Sequence, residues 1–152
     1  MHFLHTAFPA PLIHRDLKSL NLLLSKNWTL KVSDFGLSRF RRRGVNDGPC
    51  GTTQWMAPEV ILGKEYDERA DVYSFGINLW ELCTRRVPWE GRQDVKQVVV
   101  RGERPSLDEQ TLDVNCPQEL VALIRRCWAA DPAQRPDFGE IVNELKAIAD
   151  RV

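Results

Sequence analysis

Hydrophobic positions change their spacing along the chain. Near the front they come in short runs, Leu22–Leu24 and residues 29–33, separated by Ser25, Lys26 and Asn27. Short apolar runs bounded by turn residues predict β-strands in a hairpin. Residues 39–51 are polar, with Gly44 and an Asn46-Asp47-Gly48 turn, and predict a long loop. Residues 70–83 are apolar nearly all round (Val72, Phe75, Ile77, Leu79, Leu82), which predicts a helix buried on every side. Pro117 suits a first helical position, followed by Leu120, Leu123, Ile124, Cys127 and Trp128 at helical spacing. Asp137 with Glu140 forms a capping-box pattern, and Phe138, Ile141, Val142, Leu145 and Ile148 then mark one face. No repeat or low-complexity segment interrupts this order. The prediction is a mainly α fold with short β hairpins supporting loops near the front.

Composition narrows the setting without naming a function. The 152 residues suit one domain with a real core. The 21 Lys and Arg balance the 21 Asp and Glu, so bulk charge points to neither nucleic acid nor a membrane surface. The four cysteines include no Cys-x-x-Cys pair and predict reduced, packed thiols rather than a disulfide or zinc framework. The N-terminal stretch lacks a basic leader, and no apolar run approaches membrane-spanning length, so the expectation is a cytoplasmic, intracellular protein.

One stretch breaks the pattern. Ile13 to Leu24 reads IHRDLKSLNLLL, half apolar, yet it holds His14, Arg15, Asp16, Lys18 and Asn21. Polar groups set into core are costly unless paired or ligated. Asp34 follows the second strand-like run directly, in Asp34-Phe35-Gly36. Taken singly, Asp16, Asn21 and Asp34 read as ordinary turn residues. Taken together they are oxygen donors on two neighbouring loop edges, without His or Cys, which suits a hard cation such as Mg²⁺.

Together these residues also match a family. His14-Arg15-Asp16-Leu17-x-x-x-Asn21, then Asp34-Phe35-Gly36, then Ala57-Pro58-Glu59 resemble the signature set of eukaryotic protein kinases, in order. Asp71-Val72-Tyr73-Ser74-Phe75-Gly76 and Arg135-Pro136 continue the resemblance, which covers essentially the whole chain. It implies ATP and Mg²⁺ as cofactors, with Mn²⁺ as a substitute, and a protein substrate. It assigns Asp16 as the base for the substrate hydroxyl, and Asn21 and Asp34 as metal ligands. Lys18 becomes a point charge beside the transferred phosphoryl group, and Leu23 lies under the adenine ring. Thr52 contacts the catalytic aspartate, and Trp55 belongs to the substrate-facing segment. The resemblance makes Glu59 and Arg135 a buried ion pair, has Asp71 accept backbone N–H groups of the His14-Arg15 turn, and packs His14 beside Phe35.

Departures from the family pattern refine the picture. Lys18-Ser19 after the aspartate, and Gly51-Thr52 joined to Trp55-Met56, resemble the tyrosine-kinase-like group, whose members mostly phosphorylate Ser and Thr. Asn78 stands where the family usually has an aliphatic residue; either it finds a partner or the packing there is looser. The Gly-rich loop, the strand lysine and its partner glutamate do not occur in residues 1–152. The resemblance is therefore to the C-terminal, larger lobe alone, a partial kinase domain without its N-terminal lobe. On that basis the isolated chain is expected to be inactive and prone to self-association, and the alternative is a non-catalytic lobe that binds partners. Between Arg39 and Gly51 there is no Ser, Thr or Tyr. Asp47 is then a candidate for pairing permanently with Arg15 where a phosphorylated residue usually sits, against a plain turn beside a solvated arginine run. His2 and His5, three apart near a helix end, read as helix residues in preference to a metal pair.

Overall fold

The two short apolar runs at the front pair with each other. A computed structural model describes residues 1–42, 44, 48–108, 110–113 and 115–151. Helix α1 (His2–Thr6) leads into strands β1 (Leu12–Ile13), β2 (Leu22–Leu24), β3 (Leu30–Val32) and β4 (Arg39–Phe40). β2 and β3 form an antiparallel hairpin with Leu22 opposite Val32 and Leu24 opposite Leu30. Its turn is closed by the Ser25 hydroxyl, which accepts the Thr29 N–H at 3.1 Å. The second strand is shorter than residues 29–33, because Thr29 belongs to the turn. The polar stretch after residue 38 is not all loop either: β4 pairs antiparallel with β1, Ile13 opposite Arg39. A two-residue strand carries no alternation that a pattern could reveal.

The rest is helical: α2 (Pro58–Ile61), α3 (Arg69–Thr84), α4 (Val95–Val100), α5 (Gln118–Cys127) and α6 (Phe138–Ala149). The apolar residues of α3 run through the centre of the core, where Val72, Tyr73, Ile77 and Leu79 are buried with Leu123 and Ile124 of α5. Gly76 allows the two helices to meet, since a Cβ there would stand 2.8 Å from the Cys127 Cβ. Burial on every side does not extend to the last turn of α3, where Leu82 is 73% exposed. Pro117 is the residue before α5 rather than its first, because its ψ of 139° is extended while its φ fits a helix. At α6 the capping box is formed in both directions, Glu140 N–H to Asp137 and Asp137 N–H to Glu140, each at 2.9 Å. Val142 lies off the buried face of α6, which is carried by Phe138 and Ile141.

Charge is buried in this core only in company. Arg135 is 1% exposed, and its guanidinium donates to both oxygens of Glu59 at 2.6 and 2.8 Å. Nε and Nη1 also reach the Ala129 and Arg69 carbonyls. The Tyr73 ring lies against the guanidinium carbons of Arg104 and Arg135, 5.1 and 5.2 Å from its centroid. The pair thus ties the start of α2 to the segment before α6, across α3. Replacing one member strands the other, so Glu59→Gln is expected to lower stability by about 3–5 kcal/mol in urea unfolding. A loss below about 1 kcal/mol, the level of an exposed pair, would contradict this account.

Candidate active site

The polar residues of Ile13–Leu24 gather around two carboxylates. The first is Asp71 in the opening turn of α3, 1% exposed. Its Oδ2 accepts the His14 N–H at 2.8 Å and its Oδ1 the Arg15 N–H at 2.9 Å. His5 Nε2 of α1 lies 2.9 Å from the same Oδ2, with its ring edge-on to Phe138 of α6. These bonds hold Arg15 at φ 71°, a left-handed backbone that costs a non-glycine residue about 1–3 kcal/mol. His14 is fully buried, 5.1 Å from the Phe35 ring centroid. Its Nδ1 accepts the Asp16 N–H at 3.3 Å, which leaves the proton on Nε2 to donate to the Ser33 carbonyl at 3.0 Å.

The second carboxylate is Asp16. Its Oδ1 accepts both the backbone N–H and the hydroxyl of Thr52, at 2.8 and 2.7 Å. Lys18 Nζ lies 3.1 Å from Oδ2 and donates to Thr52 Oγ1 at 2.8 Å. Burial by itself raises the Asp16 pKa, but the bonds from Thr52 and Lys18 outweigh it and hold the carboxyl below its usual range. Gly51 is required here: its φ is 103°, and a Cβ would collide with the Arg15 carbonyl. The glycine lets the segment carrying Thr52 come down onto Asp16.

Asn21 lies inside the same loop, its Nδ2 donating to the Asp16 carbonyl at 2.9 Å. That commitment leaves Oδ1 as the acceptor available to a cation. The Asn21 carbonyl in turn accepts the Ser33 N–H at 2.9 Å, which sets Asp34 beside it in the chain. Asp34 is exposed at φ 62°, and its Oδ1 takes a long 3.4 Å bond from the Gly36 N–H. An amide oxygen and a carboxylate at one edge, both oxygen donors, fit Mg²⁺ with its remaining shell left to water and phosphate. Among the described residues no three His, Cys, Asp or Glu side chains gather as a metal cluster. His5 Nε2 is committed to Asp71 Oδ2.

Other expected residues lie elsewhere. Leu23 sits on β2 and is 54% exposed. Asp47 falls outside the described residues. The Trp55 ring is buried, and its Nε1–H donates to Glu81 Oε2 at 2.8 Å. Asn78 finds partners through Nδ2, the Leu17 and Ser74 carbonyls at 3.0 and 2.7 Å, while its Oδ1 is buried without one. Sequence reasoning passed over Glu81, whose other oxygen accepts the Ser19 hydroxyl at 2.9 Å. Burial raises its pKa despite the bonds from Trp55 and Ser19. Its signal was an acid set among the apolar residues of the last turns of α3. The Tyr66 hydroxyl, which accepts from Arg15 Nη1 at 3.1 Å, left no signal at all.

Residues 1–145 match the family model described as protein tyrosine and serine/threonine kinase. The chain is 46% identical to serine/threonine-protein kinase STY46 of Arabidopsis thaliana, covering 93% of this chain and 24% of that protein. It is 43% identical to dual specificity protein kinase shkA of Dictyostelium discoideum, over 96% of this chain and 28% of that one. It is 40% identical to human mitogen-activated protein kinase kinase kinase 11, over all of this chain and 19% of that protein. The chain therefore spans little more than a quarter of these relatives at most.

The Asp16 environment gives a titration test. Its folded pKa lies below the ordinary value of 3.8, so the stability it contributes is present above that value and is lost as pH falls through the lower, folded one. Thr52→Val keeps the shape and the backbone bond but removes the hydroxyl donor. The Asp16 carboxyl should then titrate at higher pH, followed by NMR of its carboxyl carbon, and the acid loss should begin earlier. An unchanged Asp16 titration would show that Thr52 is only a neighbour.

Proposed function

The chain belongs to the protein tyrosine and serine/threonine kinase family, and we propose that it is the catalytic C-terminal lobe of an enzyme that phosphorylates Ser and Thr hydroxyls of proteins. The observation that supports this most strongly is the Asp16 carboxylate, kept ionised by Thr52 and Lys18 within one loop of Asn21. An ionised carboxylate in that place accepts the proton of a substrate hydroxyl as the oxygen attacks. Lys18 Nζ keeps positive charge beside it, where negative charge develops. Asn21 and Asp34 hold the divalent cation, Mg²⁺ or Mn²⁺ in its place, and Leu23 offers an apolar support to the adenine. When bound, ATP with its cation supplies the phosphoryl group and neutralises the phosphate oxygens. Asp71 and His14 take no part in the chemistry; they hold the loop in its shape.

The Ser/Thr assignment rests on the Lys18-Ser19 and Gly51-Thr52 spellings and on relatives named serine/threonine kinases. The cytoplasmic setting rests on the four free cysteines. No helix among the described residues is long and apolar enough to cross a membrane. Residues 1–152 include no Gly-rich loop to cover the phosphates. Exposed Leu20, Leu23, Leu24 and Leu30 fit burial under a further lobe. The isolated chain should therefore transfer no phosphate. A partner-binding lobe without catalysis has no physical need for Asp16, Lys18, Asn21 and Asp34 together, which disfavours that reading.

In the full-length protein, Asp16→Asn and Asp34→Ala should each abolish phosphorylation of a Ser/Thr peptide with ATP and Mg²⁺. The check is radiolabelled phosphate transfer at matched folding, judged by circular dichroism. Undiminished turnover by Asp34→Ala would end the assignment.

A further inference from the structure

The segment between α2 and α3 reads Glu65-Tyr66-Asp67-Glu68, and it grips the stretch that follows Asp34-Phe35-Gly36 at several points. Arg41 Nη1 donates to Glu68 Oε2 at 3.2 Å, and Nη2 lies 3.5 Å from Asp67 Oδ2. Glu65 Oε1 accepts the Gly44 N–H at 3.0 Å. The Tyr66 hydroxyl accepts from Arg15 Nη1 at 3.1 Å and lies 3.6 Å from the Cys50 thiol. Arg15 Nε donates meanwhile to the Leu37 carbonyl. Burial, with Cys50 adding to it and Arg15 opposing, pushes the Tyr66 phenol up to about 12. It is therefore a neutral hydroxyl, able to accept from the guanidinium, at any physiological pH.

We propose that residues 65–68 are a built-in counter-surface that holds the activation segment without a phosphoryl group, with Tyr66 helping to position Arg15. A phosphate orders such a segment by offering strong acceptors to arginines. Here two carboxylates serve Arg41 and a phenol serves Arg15, while the stretch between Arg39 and Gly51 contains no Ser, Thr or Tyr to phosphorylate. The surface itself is fixed: Asp67 Oδ1 accepts the Arg69 N–H at 2.9 Å at the start of α3. The gripping side chains are less sheltered, Arg41 at 38% exposure and both acids at 26%. Each pair alone is worth little and is weakened by salt. The grip comes from their convergence on one segment, on its way out at Arg41 and Gly44 and on its way back at Cys50.

The term activation segment and the second test rest on the kinase reading, and the first test avoids activity altogether. The full-length protein is treated with phosphatase and its mass confirmed, so that no phosphoryl group on residues 37–50 contributes. Limited trypsin digestion follows, with cleavage after Arg41 and Arg42 read by mass spectrometry, where the rate follows the open population. Glu65→Gln with Glu68→Gln should raise that rate at least about threefold, the change expected from losing weak surface pairs, with cleavage after Arg101 unchanged. Salt of about 1 M, where screening reaches about 3 Å, should raise the wild-type rate similarly. Equal rates for wild type and variant at low salt would overturn the proposal, as would a comparable rise in the wild type caused by the phosphatase alone. The second test is Tyr66→Phe, which keeps the ring and removes the acceptor. It should lower kcat several-fold with the KM for ATP unchanged, and an unaltered kcat would refute the role given to Tyr66.

Discussion

One buried carboxylate sets the rest of the site. Asp71 takes the N–H groups of His14 and Arg15 and the ring of His5, and without these donors it would be an unpaired charge in the core. With them it is satisfied, and the turn it receives is fixed in a conformation the backbone avoids on its own, with Arg15 at φ 71°. Because Asp71 stands in the opening turn of the buried central helix, that helix carries the loop that bears Asp16. The loop need not be stable by itself. It borrows its order from α3.

The same logic recurs with different partners. Asp16 is tolerated in a sheltered place because Thr52 and Lys18 converge on it. Glu59 is tolerated because Arg135 meets it with two parallel bonds. Among the described residues Glu81 meets the uncharged donors Trp55 and Ser19, and burial raises its pKa. Buried charges differ in their company, and that difference separates the Glu59–Arg135 pair from Asp16 and from Glu81. Thr52, Arg135, Trp55 and Ser19 are each distant in sequence from the acid they meet, so the polar interior also joins segments that apolar contacts alone would let slide.

Much of this was legible in the residues. The motif spellings located Asp16, Asn21 and Asp34, and hydrophobic spacing located α3, α5 and α6 with the α6 capping box. What spacing cannot reveal is structure without periodicity. β4 is two residues long, and α2 and α4 are too short to show a face. The inward turn of Trp55 depended on Glu81, 26 residues away, and the role of Tyr66 on Arg15, 51 residues away. Asn78 looked like a defect beside an aliphatic expectation. Its amide instead reaches the Leu17 carbonyl, a pairing visible only once α3 and the loop are placed together.

The central claim is that Asn21 and Asp34 form the cation edge of a phosphoryl-transfer site braced by Asp71. Paramagnetic Mn²⁺ tests it most directly, added in small amounts with ATP to isotope-labelled protein and followed by NMR. The account predicts selective broadening of the Asn21 side-chain amide and the Ser33 and Asp34 backbone signals, reversed by excess Mg²⁺. Sharp Asn21 and Asp34 signals, with broadening centred on the acidic residues 65–68, would contradict it.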